Sequence, residues 1–135
     1  MTDTVRVLVV DDAAFMRRAL IKLLRQAPDV EVVGEARNGI EAIRLFATTR
    51  PDVICLDVDM PEMDGITALK HFMATRPTPV IVVSSMTDRD NVPFELFRLG
   101  VIDFFPKPSS LVGAVEEQTR LLVYLIKNYH YYLLL

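Results

Sequence analysis

Three carboxylates stand where apolar runs give way to polar sequence. Asp11 and Asp12 follow Val5–Val10, and Asp57 follows Val53–Leu56. Ser84 closes a fourth apolar run, Val80–Val83, and Lys107 follows a weaker fifth around Phe104–Phe105. If these runs are neighbouring strands, the three acids crowd together at one end of a sheet. Two ionised carboxylates ~4 Å apart repel by roughly 4 kcal/mol at an effective dielectric near 20. Lys107 offsets one of the three charges, and a divalent cation is the natural remedy for the rest. An all-oxygen set with open water positions suits Mg²⁺. A carboxylate beside Mg²⁺ can attack a phosphoryl donor and become an acyl phosphate. The Lys107 ammonium and the Ser84 hydroxyl can stabilise the charge that spreads over the equatorial oxygens. Each signal alone has a plainer explanation, a helix cap for Asp11-Asp12 or a turn residue for Ser84. Their joint placement at four strand ends carries the argument.

The elements that must position these groups are legible in the apolar spacing. Five short β-branched runs, with Val30–Val33 as the second, alternate with helical stripes. The stripes are Met16, Leu20, Leu23 and Leu24; Gly39, Ala42, Ile43 and Phe46; Ile66, Leu69 and Met73; Phe94, Phe97 and Val101; and Val115, Leu122, Ile126 and Tyr129. Such offsets predict one apolar face per helix. Pro28, Pro51, Pro77 and Pro79 stop the preceding helices, and Pro93 suits a first helical turn. Strands alternating with helices imply an α/β fold, a doubly wound five-stranded parallel sheet with five helices and right-handed crossovers. A strand order of 2-1-3-4-5, the flavodoxin-like arrangement, would make the first and third strands neighbours and bring the acids to the switch point.

Composition narrows the remaining classes. A chain of 135 residues, 51% hydrophobic and 24% charged, can bury one substantial core. The net charge of −3 favours neither nucleic acid nor an anionic membrane surface. Cys55 has no partner for an internal disulfide and fits a reducing compartment. No signal-peptide pattern opens the chain, and a cytoplasmic location is expected. Leu121–Leu135 is interrupted by Lys127, Asn128 and His130 and falls short of the ~20 residues of a spanning helix. Neither His71 nor His130 has a metal-ligand spacing.

The segments VLVVDDAAFMR, DVICLDVDMPEMDG, PVIVVSS and GVIDFFPKP resemble a response-regulator receiver domain over about Val5 to Pro108. The resemblance implies phosphorylation of Asp57 by a histidine kinase with Mg²⁺. It implies Asp12 as direct metal ligand, Asp11 as the acid acting mainly through water, and Asp59 as donor of a backbone carbonyl. It makes Ser84 and Lys107 the phosphoryl-stabilising pair, Phe104 the aromatic switch, and the Lys107–Pro108 peptide cis. Residues 1–108 would be the receiver core and 109–135 a fifth helix with an apolar tail of the same domain. Ala13 stands where the family commonly has serine, which bears on helix capping.

Within the family, LDVDMPEMDG, VVSSMT and LGVIDFFPKP most resemble the N-terminal receiver of chemotaxis protein-glutamate methylesterases. The implied partners are a chemotaxis-type kinase and an effector domain of the same protein or a target protein. This sequence has no Gly-x-Ser-x-Gly-like segment, so it reads as a phospho-acceptor rather than a turnover enzyme. It is expected to be either the regulatory piece of a methylesterase or a stand-alone receiver. The apolar Tyr129–Leu135 segment suits contact with that domain or with a second copy. An alternative, a haloacid-dehalogenase-type phosphatase with Asp57 as nucleophile and Asp59 as acid/base, needs its acidic metal pair after the lysine. Here the pair comes first.

Overall fold

The computed structural model describes residues 4–57, 60, 64–84, 94–106, 117 and 120–128. Five parallel strands, β1 (Val5–Val10), β2 (Val30–Ala36), β3 (Val53–Asp57), β4 (Val80–Ser84) and β5 (Val101–Pro106), form one sheet. Their order is 2-1-3-4-5, the flavodoxin-like arrangement that brings the acids to the switch point. Between them run α1 (Ala14–Leu24), α2 (Gly39–Thr49), α3 (Asp64–Thr75) and α4 (Phe94–Arg98). A fifth helix, α5, is described over 120–128. None of the described helices is long and apolar enough to cross a membrane.

Period-2 alternation in buried strands sends successive side chains to opposite faces of the sheet. Leu8, Val10, Ile54, Leu56, Val80 and Val82 pack on one face with Ala42 and Phe46 of α2, Leu69 and Phe72 of α3, and Leu96 of α4. Val5, Val7, Val9, Val53, Cys55, Ile81 and Val83 pack on the other with Leu20, Ile21 and Leu24 of α1 and Leu122 and Ile126 of α5. Both layers are closed, which is why β1, β3 and β4 read as continuous apolar runs. Removing each such large side chain from water contributes roughly 1.5–3 kcal/mol.

Two sequence expectations need correction. The fourth stripe was expected to bury Phe97 and to run through Val101. Instead α4 is five residues long, Leu96 is buried at 1% exposure, and Phe97 is 43% exposed. Val101 begins β5. The cause is Gly100, whose φ of +108° ends the helix and turns the chain into the strand. A Cβ there would also sit 3.2 Å from the Met73 side chain, so this corner admits only glycine. In α1, the buried stripe is Arg17, Leu20, Ile21 and Leu24, so a cation occupies a position on the core face.

Candidate functional site

Strand pairing assembles the acidic end of the sheet. Val10 of β1 stands opposite Leu56 of β3, so Asp11 and Asp57 occupy the next positions of neighbouring strand ends. Asp57 in turn pairs with Val83 of β4, one residue before Ser84. One oxygen from each of Asp11, Asp12 and Asp57 lies within 4.8 Å of the others. Asp57 is 1% exposed and Asp11 4% exposed, while Asp12 faces solvent. Two acids therefore form the floor of the site and the third its mouth.

Local hydrogen bonds set the Asp11 carboxylate. Its Oδ1 accepts from the Ala13 N–H at 2.8 Å, bracing the turn into α1. The residue before that helix, Ala13, makes no side-chain cap hydrogen bond, and Asp11 satisfies the N–H of Ala13 itself rather than those of the first helical turn. The Asp11 N–H donates to the Ala36 carbonyl at 2.9 Å, which ties the end of β1 to the end of β2. Next to it, Asn38 caps α2 by accepting from the Glu41 N–H at 2.8 Å. Glu41 accepts from the Arg37 N–H and Nε, both at 3.0 Å. Those bonds, the backbone one foremost, hold the Glu41 carboxyl below the usual carboxylate range.

The electrostatics favour a cation. At 4.8 Å and an effective dielectric near 20, the buried pair Asp11 and Asp57 repels by about 3.5 kcal/mol. Oxygen-only donors, two of them buried and one at the surface, form a set that fits Mg²⁺ with room for waters and a phosphoryl oxygen.

The other predicted site positions stand as follows. Ser84 and Phe104 are backbone positions of β4 and β5, with Ser84 opposite Pro106 and Val82 opposite Phe104. Both strand ends thus flank Asp57 on the β4 side of the sheet. Asp59, Lys107 and the Lys107–Pro108 peptide lie outside the described residues. Sequence reading passed over Arg17, whose Nη1 donates to the Asp11 carbonyl at 2.7 Å. Its Nε meets Glu35 at 2.9 Å. The available signal was an arginine three residues before Leu20 and seven before Leu24, on the apolar stripe.

Residues 7–116 match the family model of the response regulator receiver domain. The chain is 49% identical over 110 residues to a protein-glutamate methylesterase/protein-glutamine glutaminase of Pyrococcus abyssi. That match covers 81% of this chain and 30% of the relative. It is 45% identical over 122 residues to a protein of the same description from Halalkalibacterium halodurans, covering 89% and 35%. The chain therefore spans about a third of the length of these curated relatives. Among solved structures, the response regulator domain of Thermotoga maritima CheB superimposes with a TM-score of 0.84 at 40% identity. That superposition covers 94% of this chain and 96% of that one. A chain from the complex of the CheA3 P1 domain with CheY6 of R. sphaeroides matches with a TM-score of 0.76 at 32% identity, covering 93% and 98%.

Proposed function

The chain belongs to the response regulator receiver domain family, and from that premise we propose that Asp57 is its phospho-acceptor in a Mg²⁺ site shared with Asp11 and Asp12. The observation that carries this reading is the trio of carboxylate oxygens within 4.8 Å at the ends of β1 and β3. When bound there, Mg²⁺ would neutralise part of that charge and polarise the incoming phosphoryl group. An Asp57 carboxylate oxygen attacks phosphorus as the bond from phosphorus to the donor nitrogen or oxygen breaks. The leaving group takes up a proton from water, and Asp57 becomes an acyl phosphate. Asp11, fixed at its N–H and at Oδ1, supplies a carboxylate that needs no reorganisation during the step.

The roles of the remaining groups rest on the family pattern. Asp59 would offer its backbone carbonyl to the metal, while its side chain tunes the lifetime of the acyl phosphate. Lys107 and Ser84 would bind the phosphoryl oxygens, and Phe104 would fill space that Ser84 vacates. The backbone register, which sets β4 beside Asp57 and β5 beside β4, supports that relay. The phosphoryl donor is a cytoplasmic histidine kinase, a reading supported by the likeness to a chain from the CheA3 P1–CheY6 complex. The output is a methylesterase domain of the same protein, supported by relatives of that description at 45–49% identity. Residues 109–135 would belong to the receiver, and exposed Leu121 and Tyr124 on α5 offer apolar surface to that domain or to a second copy.

Incubation with a small acyl-phosphate donor and Mg²⁺ tests the core of the proposal. A base-labile mass adduct is expected in the native chain and absent in Asp57→Asn or with chelator. An undiminished adduct in Asp57→Asn would overturn the assignment. For the effector, the gene beyond Leu135 should encode a serine hydrolase.

A further inference from the structure

We propose that Arg17 is a positioning residue for the acidic centre, holding Asp11 in its metal-ready geometry through the main chain rather than by neutralising its charge. The inference rests on the Mg²⁺ reading of the Asp11–Asp12–Asp57 cluster. Asp11 sits just past the end of β1, where the chain turns toward α1. The guanidinium of Arg17 grips it there from within the core: it is 7% exposed, and Nη1 donates to the Asp11 carbonyl at 2.7 Å. The contact spans one helical turn beyond the Asp11-Asp12 pair, so it ties the first turn of α1 back onto β1.

With it, Asp11 is held at three atoms. The N–H is bonded to Ala36 of β2, Oδ1 to the Ala13 N–H, and the carbonyl to Arg17. Peptide-plane rotation is blocked at both ends of the residue, so the carboxylate points toward Asp57 and Asp12 before any ion arrives. A planar guanidinium is suited to this because its donors leave in fixed, divergent directions. The second direction, Nε, is used on Glu35 of β2 at 2.9 Å. Glu35 balances the charge of Arg17, which argues that the pair acts through geometry. A cavity of about 220 Å³, lined by Arg17, Glu35, Arg37 and Glu41, lies alongside. It gives the guanidinium somewhere to swing if the Glu35 arm is lost, and that swing would release Asp11.

The two readings of Arg17 predict opposite signs. A nearby cation that merely offsets carboxylate charge competes with Mg²⁺, so removing it should tighten binding. A positioning cation raises affinity through preorganisation, so removing it should weaken binding. Mg²⁺ alone, titrated by calorimetry into folded, unphosphorylated protein, separates them. Arg17→Gln should bind Mg²⁺ about tenfold more weakly, or ~1.4 kcal/mol. Arg17→Lys, with the charge kept and the fork lost, should also bind more weakly than the native chain. Tighter or unchanged binding in Arg17→Gln would overturn the proposal, as would full affinity in Arg17→Lys.

Should the Arg17 variants fail to fold, Glu35 carries the test. Glu35→Gln keeps an acceptor for Nε, and Glu35→Leu removes it, while both delete the same charge. Weakening confined to Glu35→Leu supports positioning, and equal weakening in the two refutes it. A role limited to stability would lower the melting temperature and leave the Mg²⁺ affinity of the folded protein untouched. If the native chain itself binds no Mg²⁺, the reading of the acidic cluster fails, and the outcome is distinct from a failure of Arg17 alone.

Discussion

The acidic centre should make this protein less stable than its fold allows, and Asp57→Asn measures by how much. Asp57 and Asp11 are both nearly fully buried, with carboxylate oxygens within 4.8 Å of each other. At an effective dielectric near 20, that pair repels by about 3.5 kcal/mol. Asp12 is exposed, so its share falls toward the aqueous limit of about 0.9 kcal/mol at the same distance. Against this gain stands the weaker hydrogen bonding of a neutral amide, a loss of about 1–2 kcal/mol. Asparagine keeps the size of the side chain and one acceptor oxygen, so packing is preserved. In chelator, Asp57→Asn should therefore be more stable than the native chain by about 3 kcal/mol, or roughly 10 °C in melting temperature. Urea denaturation followed by far-UV circular dichroism provides the assay, since the chain has no tryptophan. Mg²⁺ should reverse part of the difference. At ten times its dissociation constant it stabilises the native chain by ~1.4 kcal/mol, and the variant by less. If Asp57→Asn proves equal to or less stable than the native chain in chelator, the claim of a repulsive, ion-seeking cluster is wrong.

Other consequences follow from the same packing. Phe72 is fully buried against Phe46, with ring centroids 4.7 Å apart, so Phe72→Ala should cost about 3–5 kcal/mol in urea unfolding. Burial pushes the Cys55 thiol up to about 12. At pH ~8 it should react with a thiol reagent about a thousandfold more slowly in the native protein than in denaturant. Lys127 of α5 is paired with Asp29 after α1, and its hydrogen bond holds the Asp29 carboxyl below the usual carboxylate range. A depressed carboxyl contributes stability above its unfolded pKa and loses it as pH falls through the lower folded value. Protection against amide exchange in residues 120–128, taken relative to the intrinsic rate at each pH, should thus fall as pH drops below ~4, and Asp29→Asn should abolish that acid-dependent step.

Much of the site could be read from the chain because strands and chemistry coincide in it. A continuous β-branched run that stops at a carboxylate places that carboxylate at a strand's carboxyl end, and this held for Asp11 and Asp57. The alternation of runs and stripes also led to the parallel sheet and its right-handed crossovers, while the strand order entered only as a condition. Periodicity failed at α4, where five residues make too little of a turn pattern to choose between Leu96 and Phe97. There the positive φ of Gly100 and the approach of Met73 decided which residue entered the core. The proximity of Asp11 to Asp57 depends on β1 lying beside β3, residues 46 apart in sequence, and no local pattern encodes that distance. The burial of Arg17 belongs to the same class. Its charge marks an arginine at that point as a surface residue, although its spacing lies on the apolar stripe. Only the assembled sheet, with the Asp11 carbonyl at the end of β1 and Glu35 on the neighbouring strand, turns it inward, because a buried guanidinium is stable only where acceptors already wait for it.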